Sequence, residues 1–233
     1  MSVSLFPAAI LAGGLATRLR PLTETIPKAL IEIRGEPFLA HQLRLLRSRG
    51  LERAVLCIGY RGQMIRDFAG DGSRFGLRLE YSEDWPVLRG TAGAVRQALP
   101  LLGERFFVLY GDSYLPCDYR AVQEAFLAAG KPALMTVYAN QGRWDASNVE
   151  FAGGRIVAYD KRNRTGRMRH IDYGLGVFEA SVFERLPARA ACDLADVYQD
   201  LLRRGDLAAF EVFERFYEIG SVTGIEDLKA YLG

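Results

Sequence analysis

Gly13, Gly14, Thr17, Arg18 and Lys28 follow directly on a short apolar run, Ala8-Ala9-Ile10-Leu11. Paired glycines let a backbone come close to a polyphosphate and turn its N–H groups inward, and an arginine and a lysine neutralise the charge that builds up on a phosphate during transfer. The residue types therefore point to phosphate chemistry. Two familiar phosphate loops are excluded by spacing. A Walker loop ends in Gly-Lys-Ser/Thr, and a dinucleotide fingerprint needs Gly-x-Gly-x-x-Gly running into a helix. Here the glycines are adjacent, and Pro21 and Pro27 forbid a long regular helix from Leu15 onward. A plain strand-to-loop turn accounts for the glycines but not for Arg18 and Lys28.

A second apolar run, Phe106-Phe107-Val108-Leu109-Tyr110, ends in Gly111-Asp112. A buried strand that terminates in a carboxylate has a reason if the acid holds Mg²⁺, which takes oxygen ligands together with substrate phosphates. The plain alternative is a turn closed by an Asx hydrogen bond. Leu88-Arg89-Gly90-Thr91-Ala92-Gly93-Ala94 is a further small-residue loop opening a helix, suited to a flat base lying on backbone or, more simply, to helix capping.

From Leu11 to Lys28 the chain resembles the sugar-phosphate nucleotidyltransferases, with Ala16 where that family has a third glycine. A positive φ at Ala16 costs on the order of 1 kcal/mol. The resemblance implies that Arg18 and Lys28 are catalytic, contacting the phosphates being cleaved and the α-phosphate. It places Leu11, Ala12, Gly13, Gly14, Thr17, Gly90, Thr91, Ala92 and Asp112 around the nucleotide. It makes Asp112 the first ligand of a Mg²⁺ cofactor and Glu218, in Tyr217-Glu218-Ile219-Gly220, the second, where the family has the shorter aspartate. Glu226 and Asp227 read instead as first-turn acids of a closing helix. Lys161 matches the lysine that meets the sugar phosphate, and Asn148, Asp172 and Gly174 stand where sugar hydroxyls are held. The implied reaction joins a nucleoside triphosphate to a sugar 1-phosphate. The Gly-Thr-Ala-Gly-Ala form favours GTP and a D-glycero-D-manno-heptose 1-phosphate for surface polysaccharide. The alternatives are a uridylyltransferase for an amino-sugar or hexose 1-phosphate and a non-catalytic nucleotide-sugar sensor.

The elements that must position these residues are legible as alternation. Strands at Ala8–Leu11, Ala54–Ile58, Leu77–Tyr81 and Phe106–Tyr110 interleave with helices at Pro37–Arg49, Gln63–Ala69, Thr91–Leu99 and Tyr119–Ala129. That order predicts an α/β fold, a Rossmann-like mixed but mostly parallel central sheet flanked by helices, with ligands at the carboxyl ends of the strands. Strands follow at Ala133–Tyr138, Ser147–Phe151, Arg155–Tyr159 and Leu175–Phe178, with a hairpin at Gly153-Gly154, then a helix Leu194–Arg203, a strand pair within Leu207–Ile219 and a helix Ile225–Leu232.

With 233 residues, 49% of them hydrophobic, the chain reads as one catalytic domain over 1–233, with no room for the C-terminal β-helix of longer relatives. A net charge of +2 gives no argument for nucleic acid as partner. Cys57, Cys117 and Cys192 lack metal or disulfide spacing, and no signal or membrane-spanning segment is present, so the expected place is the cytoplasm, with no membrane partner. A homo-oligomer is left open. Arg162, Arg164, Arg167 and Arg169 form a charged loop, read as a solvated surface or as a lid over the acceptor. His41 and His170 are not expected to act as bases, because a phosphate nucleophile needs none.

Overall fold

A computed structural model describes residues 4–84, 86–187 and 190–233, and for Arg18 the backbone alone. The elements run β1 (Ala8–Leu11), β2 (Glu32–Ile33), β3 (Glu36–Pro37), α1 (Phe38–Ser48), β4 (Arg53–Ile58), α2 (Gly62–Ala69), β5 (Arg78–Glu83), α3 (Gly90–Leu102) and β6 (Arg105–Tyr110). They continue with β7 (Ser113–Tyr114), α4 (Tyr119–Ala129), β8 (Ala133–Tyr138), β9 (Val149–Ala152), β10 (Arg155–Tyr159), β11 (Ile171–Glu179), α5 (Ser181–Glu184), α6 (Leu194–Arg204), β12 (Leu207–Val212), β13 (Tyr217–Glu218) and α7 (Val222–Tyr231). Single-turn helices at Thr17–Leu19, Leu22–Glu24 and Lys28–Leu30 fill the proline-punctuated segment after β1.

The main sheet has seven strands in the order β12-β8-β11-β6-β1-β4-β5. Only β11 is antiparallel to its neighbours β6 and β8; the other pairings are parallel. From β1 the chain builds outward through β4 and β5, then α3 carries it back to β6 on the other side of β1. The loops after β1 and β6 therefore diverge at a topological switch point, where open parallel sheets leave a crevice for ligands.

The strands are apolar on both faces because both are covered. Ala8, Ile10, Phe107 and Leu109 pack with α1 and α4, whereas Ala9, Phe106 and Val108 pack with α3 and α6. Among the described residues no helix is long and apolar enough to cross a membrane.

Three expectations are corrected. The segment 207–219 is not a strand pair: β12 extends the edge of the main sheet beside β8, and β13 pairs with β7. Helix α7 begins three residues earlier than periodicity suggests, because Ser221 caps it by accepting from Gly224 N at 3.0 Å. Glu226 and Asp227 consequently lie past the first turn, where Glu226 meets Lys229 and Asp227 meets Arg215. Strand β11 starts at Ile171 and runs through Gly174 rather than starting after it at Leu175, since a register shift between Asp172 and Gly176 absorbs Gly174 at φ 97°.

Candidate active site

A cleft of about 380 Å³ lies over the carboxyl ends of β1, β4 and β6. Leu11, Ala12, Gly13, Gly14, Thr17, Lys28, Gly90, Thr91 and Asp112 all line it. Ala12 N donates to Cys57 O at 2.9 Å and Tyr60 N to Gly13 O at 3.3 Å, which ties the loop after β1 to the end of β4. Gly13 is small because Gly59 lies against it, whereas Gly14 opens onto free space. Ala16 then turns left-handed, at φ 47° and ψ 44°, held by Thr23 Oγ1 donating to its carbonyl at 2.9 Å. The amides of Gly13, Gly14, Leu15 and Ala16 have no hydrogen-bond partner among the described residues. Successive unpaired N–H groups in such a turn form a concavity for an anion. The Arg18 side chain lies outside the described residues.

Opposite this loop, Lys28 Nζ stands 2.6 Å from Asp112 Oδ2. Ser113 Oγ donates to Asp112 Oδ1 at 3.3 Å, and Ile219 N donates to Asp112 O at 3.0 Å. That last bond and the pairing of Glu218 with Ser113 bring the second acid beside the first. The Glu218 carboxylate accepts from Gly220 N and from Ser221 Oγ, the latter at 2.9 Å. A Cβ on Gly220 would collide with that carboxylate and lie 3.1 Å from Lys28 Nζ, so the ammonium and both acids share one small space.

At the other end of the cleft, Gly90 and Thr91 reach the surface while Ala92 faces the sheet with Val95 and Ala98, fully buried, its N–H donated to Cys192 O at 3.0 Å. Thr91 Oγ1 accepts from Leu194 N at 2.7 Å and so joins α3 to α6. Asp84, at the end of β5, also lines this part of the wall. Its Oδ2 accepts from Arg89 N at 3.1 Å, no cation lies within ion-pairing distance among the described residues, and burial raises its pKa above the ordinary carboxylate value. Cys57 forms the floor, where burial pushes its thiol up to about 12 and keeps it a thiol rather than a nucleophile.

The remaining predicted residues form a second cluster beside the cleft. Lys161 Nζ donates to Tyr110 Oη at 3.1 Å and stands 3.6 Å from Asp172 Oδ2. Burial opposes its charge, but Asp172 and Tyr110 outweigh that, and the ammonium is held above its ordinary pKa. The Asp172 side chain is only 3% exposed. It accepts from Tyr159 Oη at 3.3 Å and Gly174 N at 3.1 Å, while Asp172 N donates to Asn148 Oδ1 at 2.9 Å. Asn148 and Asp172 therefore brace Lys161, whose side chain stays 39% exposed. Asp160 accepts from Arg162 N and Asn163 N and shapes the start of the arginine loop, in which Arg167 pairs with Glu150. His41 meets Ile33 O and His170 meets Glu211, and neither lines the cleft.

A family model described as Nucleotidyl transferase matches residues 7–232. The chain belongs to that family. It is 27% identical over 228 residues to the N-acetylmuramate alpha-1-phosphate uridylyltransferase of Neisseria meningitidis serogroup B, covering 97% of this chain and 98% of that protein. It is 28% identical over 219 residues to the mannose-1-phosphate guanyltransferase beta-B of Xenopus laevis, covering 91% of this chain but 61% of that longer protein. The fold matches the crystal structure of HddC from Yersinia pseudotuberculosis complexed with GMP-PN, with a TM-score of 0.82, 22% identity, and 98% and 100% of the two chains covered. It also matches the inositol-1-phosphate CTP transferase from T. maritima, with a TM-score of 0.78, 23% identity, and 99% and 97% covered.

In this nucleotidyl transferase, sequence reasoning missed Asp84 and Tyr110. Asp84 had a signal, an acid just beyond a strand of the same parallel run whose other strands lead into Gly13 and Asp112. Tyr110 had none, because an aromatic residue closing an apolar strand reads as core.

Proposed function

We propose that this transferase joins a sugar 1-phosphate to a nucleoside triphosphate, releasing pyrophosphate. One observation carries the reading: a single cleft at the switch point holds the unpaired loop amides and the Lys28–Asp112 pair, and Tyr110 in its wall bonds the Lys161 cluster beside it. Lys28, on Asp112, and Lys161, on Tyr110 two residues before Asp112, supply the two cations that two phosphates would need. An oxygen of the acceptor phosphate attacks the α-phosphorus of the triphosphate, and the bond to the β,γ-diphosphate breaks. The nucleophile is already an anion, so no side chain need remove a proton. Loop amides, Arg18 and Lys28 hold the donor phosphates, and Lys161, braced by Asp172, Tyr159 and Asn148, holds the acceptor phosphate. Positioning and positive charge do the catalytic work.

The donor set suits Mg²⁺: Asp112 and Glu218 offer hard oxygen ligands on adjacent backbones and leave room for phosphate oxygens. Bound there, the ion would neutralise charge on the transferring phosphates.

For the base we favour GTP. The Asp84 carboxylate in the cleft wall, which takes the Arg89 amide on one oxygen and has no ion-pair partner among the described residues, suits the adjacent N1–H and N2–H₂ donors of guanine, whereas the O4 and O2 acceptors of uracil would face it unfavourably. For the acceptor we favour D-glycero-D-manno-heptose 1-phosphate, supported by the form of the Gly90–Ala94 loop. Transfer of a uridylyl group is the second reading, supported by the end-to-end similarity to the Neisseria uridylyltransferase. Pyrophosphate release with Mg²⁺, scanned across GTP, UTP, CTP, ATP and dTTP against heptose, mannose, glucose and N-acetylmuramate 1-phosphates, decides between them. Silence throughout, with nucleotide-sugar binding retained, would instead identify a sensor.

A further inference from the structure

Tyr110 is tied to its surroundings through both its backbone and its side chain. Its carbonyl accepts from Gln42 Nε2 at 3.1 Å, and Cδ2 of its ring lies 3.5 Å from where a Gly174 Cβ would stand. Lys161 Nζ sits 5.0 Å from the ring centroid and donates to the hydroxyl oxygen at 3.1 Å. The phenol is thereby fixed where the cleft wall meets the Lys161 cluster.

Its oxygen is used as an acceptor, but its own O–H hydrogen has no acceptor among the described residues. The neighbouring Asp172 carboxylate takes Tyr159 Oη and Gly174 N and faces Lys161, and Tyr110 Oη is not among its donors. A tyrosine hydroxyl carries its hydrogen at neutral pH. A part-buried donor without a partner, fixed beside an ammonium, is completed by an anion that accepts from both.

We propose that Tyr110 is a substrate-contacting residue whose hydroxyl, together with Lys161, grips the acceptor's phosphate monoester. The assignment rests on the nucleotidyl-transfer reading for the acceptor's identity, not for the donor pair itself. The donor triphosphate offers the same oxygen chemistry, and its grip is assigned to the loop amides and Lys28.

The test is Tyr110→Phe, which keeps the ring and its packing and removes the hydroxyl. With the most active nucleotide and sugar 1-phosphate pair, kcat/KM for the acceptor should fall by about ten- to a hundredfold, the scale of a hydrogen bond to a charged group. KM for the triphosphate should stay within about twofold, and Lys161→Ala and the double variant should be non-additive. An unchanged acceptor kcat/KM, or an equal loss for both substrates, overturns the proposal. A loss confined to the triphosphate moves the hydroxyl to the donor phosphates and equally overturns it. If no pair releases pyrophosphate, the transfer reading fails, and NMR of ring-labelled tyrosine decides this one. The resonance absent from Tyr110→Phe should shift on adding mannose 1-phosphate, and a resonance that does not move refutes the contact.

Discussion

At Ala16 a residue with a β-carbon occupies the left-handed region, in a loop whose neighbouring amides face the cleft. Ala16→Gly should stabilise the protein by up to about 1 kcal/mol, measured by urea unfolding, because glycine carries no steric penalty there. The same change should lower the KM for triphosphate if strain in the loop is partly released on opening toward the ligand. For the charges, Arg18→Ala and Asp112→Ala should each reduce turnover by about two orders of magnitude, the scale for removing a transition-state charge partner. Near-normal rates in both would remove these residues from the chemistry. Asp84→Asn converts an acceptor-only group into one that also donates. Its ratio of kcat/KM for GTP over UTP should fall by about tenfold or more, and an unchanged ratio would take Asp84 out of base selection.

Glu218 shows how a short element places a functional group. It sits in a two-residue strand, β13, bonded to the two-residue strand β7 directly after Asp112, and its carboxylate is fastened to the turn that starts α7. Gly220→Ala should therefore lower turnover more than tenfold while the melting temperature moves little, since the added methyl meets the Glu218 carboxylate rather than the core. Glu218→Asp should keep activity if reach alone is at stake; a folded but inactive variant would mean that the longer side chain is needed. None of this pairing was legible in the sequence. Two-residue strands carry no periodicity, and β13 finds its partner across the sheet rather than along the chain. By contrast β1, β4 and β6 were legible because each is buried on both faces and carries an unbroken apolar run. The loop residues were legible as a motif. The roles of Asp172 and Asn148 as braces for Lys161 were not, since a buried carboxylate and one facing a sugar look alike until their partners are placed.

On the scale of the molecule, β11 is the strand that makes a two-substrate site from a parallel sheet. Running against β6, it brings Asp172 and Gly174 to the edge at which β1 and β6 release Gly13 and Asp112. The β9–β10 hairpin, bridged to His170 just before β11, delivers Lys161 to the same edge. The loop after β1 and Lys161 with its braces, proposed to hold donor and acceptor, thus come from opposite halves of the chain and meet only in the folded sheet. A ligand that spans the cleft should then stabilise the whole fold, because the unfolded chain retains no such site. At a free concentration of about a hundred times Kd, binding adds about 2.7 kcal/mol. For a chain of this size that corresponds to a rise in melting temperature of roughly 5–11 °C. GTP with Mg²⁺ should produce that rise, UTP a smaller one at equal concentration, and Asp84→Asn should narrow the difference between them. If no triphosphate moves the melting temperature of a chain that unfolds cooperatively, the cleft at the switch point does not bind nucleotide, and the reading built on its loop amides falls with it.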